Sequence, residues 1–184
     1  MATQHVPRIA PLEPPYAENI QADFDAVMRG APPLMLFRVM ATNARAWQKF
    51  RAGSLLDKGA LTLRQREIVI DRTCALNKCE YEWGVHVAIF AHAAELNEEQ
   101  VGATVHAAHD APCWSAPEQA LIAAVDALHH RSTLSDAEFA RLRSHHSEAQ
   151  IFEIFLLCGF YRTVSYLCNG LRLPFEQSAA RFPG

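Results

Sequence analysis

The sequence LTLRQREIVIDRTCALNKCEYEWGVH, residues 61–86, predicts two consecutive helices joined by a tight turn. Apolar residues cover most sides of the first helix, expected over residues 63–77, so this helix is predicted to be buried nearly all round. Asn77 and Lys78 allow a sharp reversal of the chain. The second helix is therefore predicted to begin near Cys79 and to pack against the first.

The start signal of the first helix recurs along the chain. A capping residue followed three positions later by Glu or Gln occurs five times, and each pair precedes apolar residues at three- and four-residue spacing. No segment alternates with a period of two residues between hairpin turns, so no strand is predicted. The sequence therefore predicts an all-α fold, an irregular bundle of about eight helices, with one helix over residues 34–56 and a long core helix over residues 151–173. The five pairs are Thr62 with Gln65, Asn97 with Gln100, Ser115 with Glu118, Ser135 with Glu138, and Ser147 with Gln150.

Length and charge limit the classes of protein to which this chain belongs. Its 184 residues, half of them apolar, are enough for one hydrophobic core. The net charge of −3 gives no broad basic field for a nucleic acid or a membrane surface, so a small molecule is the expected partner. Residues 1–15 are rich in proline and predict an extended arm, which leaves one helical domain over residues 16–184.

The expected location is the cytoplasm. The N-terminus lacks the pattern of a secretory signal, and charged and amide side chains interrupt the apolar stretch over residues 151–173, which argues against a membrane span. The chain has five cysteines, an odd number scattered through helical patterns. They are therefore expected to be free thiols rather than a disulfide framework.

Four polar residues of the central segment form a chemically coherent set. Glu67 falls beside an apolar helix face, where a carboxylate needs a partner or must hold its proton. Cys79, Glu82 and His86 follow at i, i+3 and i+7, within one arc of the next helix. A thiol near a helix N-terminus is favoured as thiolate, and an imidazole supported by a carboxylate can transfer a proton. Glu67, Cys79, Glu82 and His86 are therefore the predicted catalytic residues.

Each of these residues also has a structural interpretation. Glu67 could pair with Arg66, a buried cysteine is usually inert packing, and Glu82 with His86 could be an ordinary surface pair. A metal site could use Glu82, His86 and His92, but no H-E-x-x-H pattern is present and His92 faces the opposite side of the helix. No metal and no cofactor is therefore expected.

The central segment resembles the core of the carboxymuconolactone decarboxylase family, within the alkylhydroperoxidase D-like superfamily. The superfamily motif is a Glu, eleven residues, Cys-x-x-Cys, three residues and a His. Glu67, Cys79 and His86 match this spacing, whereas Glu82 replaces the second cysteine, so a Cys-x-x-Cys disulfide is impossible. The resemblance implies an alkylhydroperoxidase D-like bundle, cofactor-free acid–base chemistry on a small carboxylated ring, and a homo-oligomer that is a dimer, trimer or hexamer.

The residues and the resemblance lead to three hypotheses. The first is a carboxymuconolactone decarboxylase-like enzyme in which His86 acts as general acid or base, assisted by the two carboxylates. The second is an alkylhydroperoxidase-like, one-cysteine peroxidase in which Cys79 is oxidised to a sulfenic acid and an external thiol restores it. The third is a non-catalytic helical binding protein. The residues predicted to bind the substrate are Tyr81 and Trp83.

Overall fold

The computed structural model describes residues 6–184, which form nine helices and no strand. The predicted all-α class is thereby confirmed. The helices are α1 (Glu18–Met28), α2 (Met35–Met40), α3 (Ala44–Ala52), α4 (Leu63–Leu76), α5 (Glu80–Phe90), α6 (Glu98–His106), α7 (Ala116–Arg131), α8 (Asp136–Arg143) and α9 (Glu148–Leu171).

The prediction of one continuous helix over residues 34–56 is wrong, because the chain breaks there into α2 and α3. The hydroxyl of Thr42 donates to a carbonyl one turn earlier, and the side chain of Asn43 accepts the amide of Ala46 at 3.0 Å, which caps α3. Short polar side chains of this kind satisfy backbone groups that a continuous helix would have used itself. The break explains why the structure has more helices than the sequence predicts.

All five predicted capping boxes are present. At four of them the cap side chain accepts the amide three residues later, and the Glu or Gln side chain accepts the amide of the cap residue. At the fifth, the Glu118 carboxylate accepts hydrogen bonds from the amide and the hydroxyl of Ser115 at 2.9 and 2.7 Å. The starts of five helices are therefore predicted correctly. The other four cap residues are Thr62, Asn97, Ser135 and Ser147.

Helix α4 lies at the centre of the bundle, in contact with α5, α6, α7 and α9. All eight residues from Glu67 to Cys74 are buried, which confirms the prediction of a helix buried nearly all round. By length and composition alone, α9 could also cross a membrane, as many core helices of soluble proteins could. Its residues Ile154, Leu157 and Val164 are buried in the core of this bundle.

An ion pair fixes α4 relative to its neighbours. Nε and Nη2 of Arg72 donate to the two carboxylate oxygens of Asp126 on α7, at 2.7 and 2.9 Å. Nη1 of the same guanidinium donates to the carbonyls of Thr104 and Ala107, at the end of α6, at 3.1 and 3.0 Å. One buried side chain therefore connects three helices around the centre of the bundle.

The C-terminal segment, residues 172–184, returns along α5. The amide of Ala180 donates to the carbonyl of Gly84 at 2.9 Å. A Cβ atom at Gly84 would lie 2.1 Å from the Ala180 carbonyl oxygen, so only glycine permits this approach. The amide of Phe182 donates to the carboxylate of Glu80 at 3.0 Å. The segment therefore covers one side of the helix that carries His86.

Residues 6–15 of the predicted proline-rich arm, residues 1–15, lie against the bundle. Its first five residues are outside the part of the chain that the structure describes. The amide of Arg8 donates to the carbonyl of Leu171 at 2.8 Å, and the amide of Leu12 donates to the carbonyl of Arg38 at 3.1 Å. These bonds hold the arm to α2 and to the end of α9. The division of the chain into an arm, residues 1–15, and one helical domain, residues 16–184, stays a prediction.

Candidate active site

Three of the four predicted catalytic side chains meet inside the bundle. Nδ1 of His86 lies 2.7 Å from one carboxylate oxygen of Glu67 on α4, and Nε2 lies 3.5 Å from Oε1 of Glu82, one turn earlier on α5. The other oxygen of Glu67 accepts a hydrogen bond from Nε of Arg66 at 2.9 Å. Glu67, Glu82 and His86 are each at most 7% exposed. A histidine is therefore held between two buried carboxylates.

The turn between α4 and α5 brings these side chains together. Lys78 adopts a left-handed conformation with φ of 53°. The amide of Cys79 then donates to the carbonyl of Cys74 at 2.9 Å, with a companion bond from the Lys78 amide. This pair of bonds is a Schellman motif, which ends a helix and reverses the chain. The reversal places the face of α4 that carries Glu67 against the face of α5 that carries His86.

The charge state of His86 follows from its two carboxylate partners. Burial lowers the pKa of His86, but the hydrogen bonds to Glu67 and Glu82 more than offset this effect and raise the pKa from 6.5 to about 10. At neutral pH the ring is therefore an imidazolium, with Nδ1 hydrogen-bonded to Glu67 and Nε2 in an ion pair with Glu82. Arg66 brings a second positive charge to this buried cluster.

Asp71 is a buried acid beside this cluster that the sequence reading did not single out. It lies one turn after Glu67 on α4, is 1% exposed, and neither of its carboxylate oxygens has a hydrogen-bond partner among the described residues. Burial raises the pKa of Asp71 well above 3.8, while the charge of His86 lowers it and that of Glu67 raises it. Asp71 is therefore more readily protonated than an exposed aspartate. Its i, i+4 spacing from Glu67 was the signal that could have identified it.

Aromatic rings pack around the imidazole. The ring of Tyr161, from α9, lies edge-on to His86 with ring centres 5.1 Å apart, and the ring of Phe90 lies 5.3 Å away. Burial raises the pKa of Tyr161 well above its ordinary value, so its hydroxyl is neutral. No feature of the sequence connects Tyr161 with α5, because the contact depends on how α9 crosses the bundle.

The two predicted substrate-binding residues direct their polar groups elsewhere. The hydroxyl of Tyr81 donates to Glu176 and accepts the amide of Leu36 at 3.1 Å. The indole of Trp83 donates to the hydroxyl of Thr104 at 2.9 Å. Both side chains are buried, and they join α5 to α2, to α6 and to the C-terminal segment. Their role in substrate binding stays a prediction.

Cys79, the fourth predicted catalytic residue, is the fully buried N-cap residue of α5. A hydrogen bond with the thiol of Cys168, on α9, lowers the pKa of Cys79, burial raises it, and the amide of Glu82 lowers it further. The balance leaves the pKa below its ordinary value. All five cysteines are free thiols in the structure. The contact between Cys79 and Cys168 was not predicted, since they are far apart in the sequence.

An open cavity of about 240 Å³ lies beside the cluster. Its wall includes the apolar side chains of Leu55, Leu61 and Leu157 and the charged side chains of Lys58 and Arg66. Because Arg66 also bonds to Glu67, this arginine is shared between the cavity wall and the buried cluster. The cavity is therefore connected with the cluster through Arg66, whereas Glu67, Glu82 and His86 do not line it.

The metal alternative lacks the arrangement of ligands that it requires. His92, its proposed third ligand, is exposed. Within residues 6–184, no three side chains of His, Cys, Asp or Glu are grouped so that they could hold a metal ion.

The charge on His86 predicts how stability depends on pH. Because its pKa is raised on folding from 6.5 to about 10, its contribution is fully present below the first value and is lost as the pH rises through the second. The difference in free energy of unfolding between the wild type and His86→Gln should therefore shrink by about 1.4 kcal/mol per pH unit in this interval. Urea denaturation at several pH values measures it. A difference that is independent of pH would show that the ring is not charged.

The chain has an all-helical fold of the alkylhydroperoxidase D-like kind. An uncharacterized peroxidase-related protein from Silicibacter sp. TM1040 is similar over 100% of both chains, with 19% identity and a TM-score of 0.81. A second such protein, an alkylhydroperoxidase AhpD core from Ralstonia eutropha JMP134, is 20% identical over 94% of both chains, with a TM-score of 0.81. The debrominase Bmp8 in its apo form is 16% identical over 92% of both chains, with a TM-score of 0.70.

Residues 41–126, a little under half of the chain, match the model of the carboxymuconolactone decarboxylase family. The resemblance to this family, which the spacing of Glu67, Cys79 and His86 indicates, is thereby confirmed. None of the curated proteins matches this chain. The solved structures show a common fold, and one of the proteins that share it is an enzyme.

Proposed function

We propose that this protein is a cofactor-free acid–base enzyme of the carboxymuconolactone decarboxylase type, acting on a small carboxylated substrate in the cytoplasm. One observation carries the proposal: the buried imidazolium of His86 lies between Glu67 and Glu82, at 2.7 and 3.5 Å. The second oxygen of Glu82 has no partner among the described residues, although it is buried. A buried carboxylate oxygen of this kind is free to accept a proton or a hydrogen bond from a substrate.

The proposed reaction uses His86 as the proton donor. When a carboxylated lactone loses CO₂, the bond between the ring carbon and the carboxylate breaks, and its electron pair passes into the adjacent conjugated system. The imidazolium of His86 then supplies the proton that the substrate carbon needs, and Glu67 holds the ring in position through Nδ1. Glu82 returns a proton to Nε2 from solvent when the product has left, which restores the starting state.

The cavity beside Arg66 suits a small anionic substrate. Arg66 and Lys58 bring positive charge to its wall. The wall also contains Asp57 and Glu153, and the Glu153 carboxylate already accepts the amides of Ala60 and Leu61, at 2.7 and 3.0 Å. A substrate carboxylate in the cavity would therefore meet Lys58 and the arginine that also bonds Glu67.

The proposal is tested by incubating the purified protein with a panel of carboxylated lactones while CO₂ release is measured. We expect turnover at neutral pH that declines as the pH rises through about 10, because His86 then loses its proton. Cys79→Ser serves as the matched control, since acid–base chemistry does not require the thiol. Absence of turnover with the whole panel would favour the non-catalytic binding protein, and loss of turnover in Cys79→Ser would favour thiol chemistry.

A second candidate function is a thiol peroxidase that uses Cys79. Two features favour it: Cys79 is the N-cap residue of α5, and the pKa of its thiol is held below its ordinary value, chiefly by Cys168, which makes the thiolate more available. In the simplest form of this cycle, a hydroperoxide oxidises Cys79 to a sulfenic acid and an external thiol reduces it. Peroxide consumption that disappears in Cys79→Ser but persists in His86→Gln would support this candidate.

We also propose that the chain assembles into a homo-oligomer through α9. Phe152, Phe155 and Leu156, at i, i+3 and i+4 on one side of this helix, are 70%, 38% and 58% exposed. A contiguous exposed apolar surface of this kind is typical of a contact between subunits. Light scattering should therefore show a dimer, trimer or hexamer for the wild type.

The corresponding variants test which surface is involved. Phe152→Asp combined with Leu156→Asp should produce a particle of 20.5 kDa, because two charges would be buried in the contact. Ile89→Asp is the matched control, since Ile89 is 54% exposed on α5 and lies outside this surface. A wild type that scatters only as a 20.5 kDa particle would contradict the proposal.

A further inference from the structure

The positive charges on the wall of the cavity beside Arg66 differ in their exposure to solvent. Lys58 is exposed, as is its neighbour Asp57. Charges of opposite sign that are adjacent and exposed are screened, so together they attract a ligand only weakly. The side chain of Arg66, by contrast, is only 13% exposed. Arg66 is therefore the positive charge of the wall that is best placed to bind a ligand inside the cavity.

Arg66 has donors that no described residue uses. Its Nε donates to Glu67 at 2.9 Å, and its Nη1 donates to the carbonyl of Leu56 at 3.0 Å. These bonds leave one hydrogen of Nη1 and both hydrogens of Nη2 without an acceptor among residues 6–184. Unpaired N–H groups on a largely buried side chain favour a ligand that brings an acceptor. The planar fork of a guanidinium matches a carboxylate in particular.

The acidic residues of the wall limit how many negative charges a ligand can carry. The two carboxylate oxygens of Glu153 accept the amides of Ala60 and Leu61, so this negative charge is fixed in place. Asp57 adds a second negative charge at the exposed part of the wall. A second carboxylate on a ligand would lie close to one of these charges and be repelled. The wall therefore favours a ligand with one carboxylate over a ligand with two.

Leucine side chains form most of the remaining wall. A ligand gains free energy when its apolar part covers them and leaves water. The volume of the cavity, about 240 Å³, is below the range of roughly 300–1,000 Å³ that is usual for sites of drug-sized ligands. The ligand that fits is therefore small, with a single apolar ring or short chain. The leucines are Leu55, Leu56, Leu61, Leu63 and Leu157.

Arg66 also contacts two residues that in turn contact His86. One carboxylate oxygen of Glu67 accepts from Arg66 at 2.9 Å, and the other lies 2.7 Å from Nδ1 of His86. The guanidinium carbon of Arg66 lies 5.4 Å from the centre of the Phe90 ring, and that centre lies 5.3 Å from the centre of the His86 ring. A ligand bound to Arg66 therefore affects His86 through a hydrogen-bonded carboxylate and through a packed aromatic ring.

We propose that the cavity binds a small monocarboxylate with an apolar body, and that Arg66 is the positioning residue that connects the bound carboxylate with Glu67 and His86. This inference rests on the proposed acid–base function, because it names the substrate class of that site. The carboxylate accepts from Nη2 of Arg66, and the apolar body lies along the leucines. Because one guanidinium then holds both the ligand and Glu67, binding withdraws positive charge from Glu67 and strengthens its hydrogen bond with His86.

Calorimetric titration of the full chain with cyclohexanecarboxylate tests the site without any turnover. We expect saturable binding to the wild type. Two analogues should each bind at least about tenfold more weakly: cyclohexanecarboxamide, which has no charge, and a cyclohexanedicarboxylate with its groups on opposite ring carbons. Equal binding of the dicarboxylate would contradict the preference for one negative charge, and equal binding of the amide would contradict the role of the carboxylate.

Variants locate the carboxylate within the cavity. Arg66→Lys should weaken the binding of cyclohexanecarboxylate by at least about tenfold, because lysine keeps the charge but lacks the planar fork. Lys58→Met should weaken it by less than about threefold, since Lys58 is exposed. Arg143→Lys, on the exposed surface of α8, is the matched control and should bind as the wild type does. Circular dichroism checks that Arg66→Lys remains folded.

Proton NMR measures the connection with His86. The resonance of its Nδ1 proton, assigned by its absence from His86→Gln, should move when cyclohexanecarboxylate is added to the wild type. The movement should be smaller in Arg66→Lys at equal occupancy of the site, a difference that a purely structural role of Arg66 would not produce.

The inference is overturned if cyclohexanecarboxylate does not bind, or if Arg66→Lys binds it as tightly as the wild type. A larger effect of Lys58→Met than of Arg66→Lys, or an equal movement of the His86 resonance in the wild type and in Arg66→Lys, would also overturn it. Binding without turnover of any carboxylated lactone would contradict the proposed function alone. Turnover of a lactone without binding of the monocarboxylate would contradict this inference alone.

Discussion

Replacement of His86 with glutamine is expected to lower kcat/KM for a carboxylated lactone by roughly 10²–10⁴-fold, the usual contribution of a general acid or base. Glutamine has a similar length and can still hydrogen-bond to Glu67 and Glu82, but it cannot carry the transferable proton. Steady-state kinetics of the purified variant measure the effect. Circular dichroism should show unchanged helical content, so that a loss of activity is attributed to chemistry.

Two further variants separate proton transfer from positioning. Glu67→Gln removes the charge that raises the pKa of His86, so the decline in activity should begin at a lower pH than in the wild type. Cys79→Ser should change kcat/KM by less than about threefold if the reaction is acid–base chemistry. Full activity in His86→Gln would refute the proposed mechanism, because no other described group holds a proton between two carboxylates.

The second large effect is expected at Arg72, where replacement with methionine should lower the free energy of unfolding by about 3–5 kcal/mol. The variant leaves Asp126 without its bidentate partner and the carbonyls of Thr104 and Ala107 without a donor. Unpaired groups at such positions are costly because water does not replace the lost hydrogen bonds fully. Urea denaturation of the wild type and the variant measures the difference.

A surface pair provides the matched control. Arg143 and Glu148 form an ion pair at 3.3 Å, but their side chains are 63% and 75% exposed. Arg143→Met should therefore change the free energy of unfolding by less than about 1 kcal/mol. A similarly small effect for Arg72→Met would show that the buried pair does not hold α4 to α7. The double variant Arg72→Met/Asp126→Leu should have a higher free energy of unfolding than Arg72→Met alone, because it leaves no buried charge unpaired.

Local patterns in the sequence predict the fold class and the starts of five helices. Capping boxes depend only on residues three positions apart, and the apolar spacing of α4 depends on one helix at a time. The same local reading failed over residues 34–56, where the side chains of Thr42 and Asn43 divide one predicted helix into two. Apolar spacing alone does not show whether such side chains or the helix itself will bond to the backbone groups at this point.

The i, i+4 spacing of Glu82 and His86 is enough to place both side chains on one face of α5. Which groups meet that face depends on how the helices pack against each other. Glu67 reaches His86 because a Schellman turn at Lys78 reverses the chain. The end of α9 meets the same turn, where the side chain of Asn169 donates to the carbonyls of Asn77 and Lys78. The charge of His86 is likewise a tertiary property, because it depends on burial and on two carboxylates whose distances no local spacing determines.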